Sequence, residues 1–266
     1  AYPVEQLKKL TYGKGKELAE NYDKVMQVQY DFSGATKYNR IPKKRILARV
    51  NFNYFMFRDG DGVAFEGTDG TMKAAIGPEV TTNWGIHHEI GHVITWGGMT
   101  EVSNTLFSMY GTMSLGDSSR LSKRHIYEVA FSKVLNAPEK QFIMCVKDPF
   151  HKLIPFWQIQ IYADKIGYKD FYADLMEHLR NQPHKGAGNA SIHNMYEYIK
   201  LCCDFLKTDL TDFFDAWGFF QTGKFHVGDY GNYDFEVTPK MIEETKHYIA
   251  SKNYPKPSMD VTKLTD

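Results

Sequence analysis

Apolar residues change their spacing near residue 46 and again after residue 110, dividing the chain into three stretches. In the first, Val4, Leu7 and Leu10, then Leu18, Tyr22 and Val25, recur at helical intervals and predict one or two helices over residues 4–30. From Ile46 the runs become short. Residues 46–50 and 53–57 read as strands, and Asp59-Gly60-Asp61-Gly62 reads as the hairpin turn into Val63-Ala64-Phe65. After Tyr110 helical stripes dominate: Phe171, Leu175 and Leu179 fall one turn apart, and Ile192, Met195, Tyr196, Ile199, Cys203 and Leu206 form a longer stripe. Thr238-Pro239 opens a further helix, with proline at its first position. These stripes are core faces. The pattern therefore predicts an α+β chain: residues 1–120 hold an N-terminal helical segment, a small β-sheet and further helices, and residues 121–266 form a mainly α-helical lobe completing the same module.

Several polar clusters carry no chemistry of their own. Tyr12-Gly13-Lys14-Gly15-Lys16 lacks the spacing of a phosphate loop and reads as a turn. Lys43-Lys44-Arg45 reads as a solvated face. The Asp-Gly-Asp-Gly turn is no calcium loop, because Val63 stands where an oxygen ligand is needed. His184-Lys185-Gly186-Ala187-Gly188-Asn189 is the clearest loop of the second half, and no internal repeat is present.

One short stretch does carry chemistry. His88-Glu89-Ile90-Gly91-His92 places two imidazoles four residues apart, one turn along the same helix face, where both can ligate one zinc ion. Glu89 lies about 100° around the helix and can serve as a general base without ligating. Zinc lowers the pKa of water that it binds to about 7, which makes a nucleophile at neutral pH. A hydrolytic zinc site needs a third protein ligand. The HExxHxxGxxH pattern does not supply it, since position 95 is Thr and position 98 is Gly. Glu101 is the next candidate, with eight residues between it and His92. Trp96-Gly97-Gly98 can end the first helix, Thr100 can cap a second over residues 101–110, and Glu101 then falls in its first turn, facing back. An acid at that position also suits the helix dipole without any ligand role.

Trp84-Gly85-Ile86-His87-His88-Glu89-Ile90-Gly91-His92, followed by Thr100-Glu101-Val102-Ser103-Asn104, resembles the enhancin-like, mucin-degrading metallopeptidase family of the gluzincin type. Tyr54-Phe55-Met56, Gly60-Asp61-Gly62-Val63-Ala64-Phe65, Ile154-Pro155-Phe156-Trp157-Gln158 and Leu210-Thr211-Asp212-Phe213-Phe214-Asp215-Ala216-Trp217-Gly218 extend the resemblance from about residue 40 to about 220. The resemblance implies zinc held by His88, His92 and Glu101, with Glu89 as the base. It implies an extracellular, cell-surface or periplasmic endopeptidase acting on glycosylated, mucin-like, O-glycosylated proteins, with carbohydrate-binding domains elsewhere in the full-length protein. Trp84 and Asn104 belong to the same motif. Trp84 can stack on a sugar or pack in the core; Asn104, one turn from Glu101, can contact substrate or support a ligand. A zincin acting on unglycosylated peptides and a non-catalytic glycan-binding relative are the competing readings.

Bulk properties narrow the classes further. Lys and Arg number 32 against 32 Asp and Glu, so no basic surplus points to nucleic acid. No apolar run approaches the ~20 residues of a membrane span. The start at Ala1-Tyr2-Pro3 reads as a processed or trimmed segment, which makes the missing export signal uninformative. Cys145, Cys202 and Cys203 are too few for a disulfide framework and read as buried thiols, although one bridge from Cys145 is sterically open. Tyr162, Tyr196, His151 and His193 are equal candidates for a second oxyanion donor. His87 projects away from the ligand face and reads as a substrate contact or a solvated residue.

Overall fold

The computed structural model describes residues 15–42, 47–49, 53–60, 62–94, 101–182, 192–228 and 232–266. The predicted first turns over residues 4–14, Lys43-Lys44-Arg45, Trp96-Gly97-Gly98 with Thr100, and the loop from His184 to Asn189 lie outside the described residues. The chain forms two compact units: Ala1–Trp96 with Ser103–Ser118, and Gly97–Val102 with Ser119–Asp266.

The first unit opens with helix α1 (Gly15–Phe32), followed by strands β1 (Leu47–Arg49), β2 (Met56–Asp59) and β3 (Gly62–Phe65). The three strands make one mixed sheet in the order β1-β3-β2, with β1 parallel and β2 antiparallel to the central β3. Helix α2 (Asp69–Ile76) is capped by Thr68, whose hydroxyl accepts from the Thr71 amide. A 3-10 turn at Pro78–Thr82 leads into α3 (Trp84–Ile94), and α4 (Val102–Ser114) closes the unit. Buried β3 explains why α3 lies where it does. Val63 and Phe65 pack with Ile86 and Ile90, which are one turn apart on α3, and with Val25 of α1. Burying each such side chain is worth ~1.5–3 kcal/mol. This anchors one face of α3 in the core and leaves its other faces to polar residues.

The strand predicted over residues 53–57 starts only at Met56. Met56 pairs with Phe65, the last residue of β3; beyond it the Phe55 carbonyl accepts one bond from the Glu66 amide at 3.2 Å, and the ladder ends there. The chain leaves the sheet at Gly67, with φ +82, on its way to the Thr68 cap. Tyr54 and Phe55 are consequently 72% and 61% exposed.

The second unit contains α5 (Arg120–Lys123), α6 (Ile126–Ala130), α7 (Pro149–Lys165), α8 (Phe171–Arg180), α9 (Ile192–Leu206), α10 (Thr211–Ala216) and α11 (Pro239–Ser251). Asp148 caps α7 by accepting from the Phe150 amide at 2.8 Å, and Pro149 takes the first helical position. The predicted stripes of α8 and α9 are buried. One element went unanticipated: β4 (Gly223–Gly228) and β5 (Asn232–Val237) form an antiparallel hairpin inside the expected helical lobe. Its inward residues Phe225 and Phe235 pack on Phe142, with ring centroids 4.7 and 5.7 Å away. The class is α+β, a small sheet with its packed helices followed by a mainly helical lobe.

Two segments that extended the family resemblance meet in this second core. Gln158 of α7 is fully buried; its carbonyl accepts from the Trp217 indole at 2.9 Å, and its amide donates to the carbonyls of Thr262 and Leu264. Neighbouring Trp157 donates to Asp266. Gly218, at φ +82, leaves no room for a side chain, because a Cβ there would overlap the Gln141 carbonyl. The Phe-Trp-Gln and Phe-Phe-Asp-Ala-Trp-Gly segments are therefore packing.

Candidate metal centre

Asn83 starts α3, its side-chain oxygen accepting from the Ile86 amide at 3.1 Å. With Ile86 and Ile90 held in the core, helical geometry turns His88 and His92 to another face, where both are half-buried. Their rings stand edge to face with centroids 5.0 Å apart. Glu101 lies one residue before α4, half-buried, with φ +53. It therefore precedes the second helix instead of occupying its first turn, the helix beginning at Val102. A left-handed backbone costs a non-glycine residue roughly 1–2 kcal/mol. Among the described residues, one ligand atom each from His88, His92 and Glu101 lie within 4.8 Å of one another.

Asn104 sits between the two rings. Its amide nitrogen is 2.8 Å from His88 Nε2 and 2.9 Å from His92 Nε2, and the residue is 1% exposed. Thr105 Oγ1 is 3.4 Å from His88 Nδ1. The same amide nitrogen is 3.3 Å from His88 Nδ1, so it lies beside that ring and off the axis of the Nε2 lone pair. Two imidazole nitrogens and a carboxylate suit zinc among common divalent ions. Glu89, next to His88, is 7% exposed.

α4 reaches α3 this closely because residue 91 is glycine. A Cβ there would come within 3.0 Å of the Asn104 carbonyl oxygen and of Phe107 Cβ. On α4, Gly111 does the same for His87, whose ring would overlap any added Cβ. His87 is neither solvated nor a substrate contact: it is fully buried. Its Nε2–H donates to the Thr81 carbonyl at 2.9 Å, and its Nδ1 accepts from the amide of Gln29 on α1 at 2.5 Å. Burial pushes its pKa down to about 4 and keeps the ring neutral. Gln29 went unnoticed in the sequence, since 58 residues separate it from His87.

Trp84 is half-buried at the first position of α3, and its carbonyl accepts from Ser108 of α4 at 3.2 Å. Two oxyanion candidates have their hydroxyls engaged within the second unit: Tyr196 donates to the Phe219 carbonyl, and Tyr162 pairs with Thr208. The three cysteines are free thiols, Cys202 and Cys203 buried.

The model of the Peptidase M60, enhancin and enhancin-like family matches residues 1–218. The chain belongs to that family. This M60 chain also shares its fold with solved metallopeptidases. One from Bacteroides thetaiotaomicron is 23% identical with a TM-score of 0.73, the likeness covering 98% of this chain and 46% of that one. A metallopeptidase in complex with Tn antigen is 24% identical, TM-score 0.77, covering 100% and 51%. The ZmpB metallopeptidase from Clostridium perfringens is 21% identical, TM-score 0.63, covering 93% and 45%. The chain spans about half the length of these structures. No curated protein matches it. Among the described residues no helix is long and apolar enough to cross a membrane.

Proposed function

We propose that this M60 chain is a zinc-dependent endopeptidase of the gluzincin type that hydrolyses peptide bonds in glycosylated, mucin-like, O-glycosylated proteins. The observation that carries the reading is the convergence of His88, His92 and Glu101 donor atoms within 4.8 Å, beside buried Glu89. In this reading those three residues hold the ion. Zinc bound there supplies Lewis-acid polarisation of the scissile carbonyl and a nucleophilic water at neutral pH. Glu89 takes a proton from the attacking water and delivers it to the leaving amine. Its position beside His88, on a helix fixed by Ile86 and Ile90, sets where that proton can be exchanged.

The glycoprotein class draws support from one structural relative that is a complex with Tn antigen. Another, 20% identical, carries CBM51-1 and CBM51-2 domains beside its M60 catalytic domain. We take this chain to be the catalytic part of a longer extracellular, cell-surface or periplasmic protein in which such domains direct it to glycans. Trp84, half-buried at the first position of α3, is the residue we assign to sugar stacking.

Mass spectrometry of products from one defined O-glycopeptide and its deglycosylated twin, with and without chelator, tests the whole reading. Cleavage of the glycosylated form alone, abolished by chelation, is the expected result; chelator-resistant cleavage overturns the metal assignment. Equal cleavage of both forms overturns the glycoprotein assignment. Glu101→Ala should lower bound zinc well below one ion per chain, and full occupancy in that variant removes Glu101 from the ligand set.

A further inference from the structure

We propose that the second unit carries a binding site for a compact organic anion about the size of a sugar ring, the carboxylate-bearing acidic sugars being the class it fits. The choice of sugars rests on the glycoprotein reading above; the site itself stands on its own geometry. A cavity of about 350 Å3 lies between the 3-10 turn Ile143–Cys145, the first turn of α7 and the end of β4. Small-ligand pockets run from about 300 to 1,000 Å3, so this one suits a small guest. Its lining divides by chemistry: Met144, Val146 and Val227 supply apolar contact, and Cys145, Lys147 and Lys152 supply polar groups. Lys152 is 2% exposed, held as the fourth residue of α7 with its amide donating to the Asp148 carbonyl at 3.2 Å. Its positive charge reaches the cavity wall. Burial pushes the Cys145 thiol pKa up, and Lys152 pulls part of that shift back. A charge shielded from bulk water attracts an anion more strongly than an exposed one.

Among the described residues that line the cavity, the fixed charges are Lys147 and Lys152, both positive. His226 also lines it, with Nδ1 2.8 Å from Asp234 Oδ1, and the Asp148 carboxylate is engaged in capping α7. The walls are preformed. The Phe142 ring stacks on Phe225 of β4, the Ile143 amide donates to the Gly218 carbonyl at 3.2 Å, and the Cys145 amide donates to the Phe142 carbonyl at 2.8 Å. These contacts fix the turn against the hairpin before any guest arrives, which lowers the ordering cost of binding. An inorganic anion would meet the lysines and leave the apolar wall uncovered. A neutral sugar would cover the wall and leave the lysines unused. An acid carried on a ring does both.

Cys145 serves as the reporter, because the other two thiols, Cys202 and Cys203, are buried. Iodoacetamide labelling of the full chain, read at Cys145 by mass spectrometry, is run with N-acetylneuraminate, N-acetylgalactosamine or inorganic sulfate. N-acetylneuraminate should slow labelling severalfold at saturation, and the other two should leave the rate alone. Lys152→Met should raise the concentration needed for protection about tenfold, the weight of one charge-assisted contact. Each variant is compared with its own ligand-free rate, since removing Lys152 lets the thiol pKa rise further. Lys147→Glu, at an exposed position, should weaken protection by a similar factor and serves if the methionine variant does not fold. Absence of protection, protection unchanged in the variants, equal protection by sulfate (an adventitious ion only) or equal protection by the neutral sugar would each overturn the proposal. Labelling at Cys145 and cleavage of the glycopeptide are read separately, so this site and the glycoprotein reading can fail independently.

Discussion

The two units bury polar side chains in different ways. In the second, buried Gln158 of α7 accepts from the Trp217 indole and donates to the carbonyls of Thr262 and Leu264, so its hydrogen bonds tie separate elements together. In the first, buried His87 and Glu89 are separated by one residue on α3, and buried Asn104 faces that helix from α4. Buried polar groups need partners, so each one constrains its neighbours. Around Gln158 those partners join one element to another, whereas around His87 they fix where the ring itself lies. The same family resemblance therefore marks two different things. In the first unit its residues are gathered around candidate ligands, and in the second they are gathered around a core.

That contrast can be broken at several points. The largest expected effect is chemical: Glu89→Gln should cut turnover by about 10²–10⁴-fold, the usual weight of a general acid–base, with metal content and melting temperature unchanged. A variant that cleaves at the parent rate removes Glu89 from the mechanism. Chelation comes next. For free ion at about a thousand times Kd, removing it withdraws ~4 kcal/mol of stabilisation. Hydrogen exchange should speed up in α3 and α4 and stay constant in α7 and α9; an equal change in all four helices would show that the ion stabilises more than the segments beside its ligands. Gln158→Leu is the mirror image. It strands the Trp217 indole and two carbonyls at ~1–3 kcal/mol for each unsatisfied group, so denaturant midpoints should fall while zinc stoichiometry holds. Gly111→Ala drives a methyl group into the His87 ring and should cost ~1–3 kcal/mol through overpacking; calorimetry checks it, and a neutral result would mean that α4 can shift freely. Smallest of all, Trp84→Ala should raise KM for a glycopeptide severalfold with little change in kcat, and a selective loss of kcat instead would place Trp84 in the catalytic step.

What the sequence made legible was local. His88, Glu89 and His92 are related by one helical turn, so their spacing is visible to anyone who suspects a helix. The core stripes of α8 and α9 were readable for the same reason. The features that escaped depend on distant parts of the chain. Nothing near His87 announces Gln29, 58 residues earlier, and a histidine beside a metal motif looks solvated until α1 is laid across it. Gly91 and Gly111 look like ordinary helix glycines until the α3–α4 crossing shows what each would strike. The β4–β5 hairpin did leave a signal, with Phe225 and Val227 and then Phe235 and Val237 at period two around a glycine-rich turn. It was overshadowed by the helical stripes on either side.

Glu101 holds a backbone conformation that glycine or asparagine would adopt at less cost, φ +53. Random mutation filtered only for folding and solubility should accordingly exchange this residue early, because nearly every gain in conformational ease at that position discards the carboxylate. The same library filtered for cleavage should hold it fixed. How quickly position 101 drifts in a laboratory lineage would thus register whether the lineage is still being asked to cut anything.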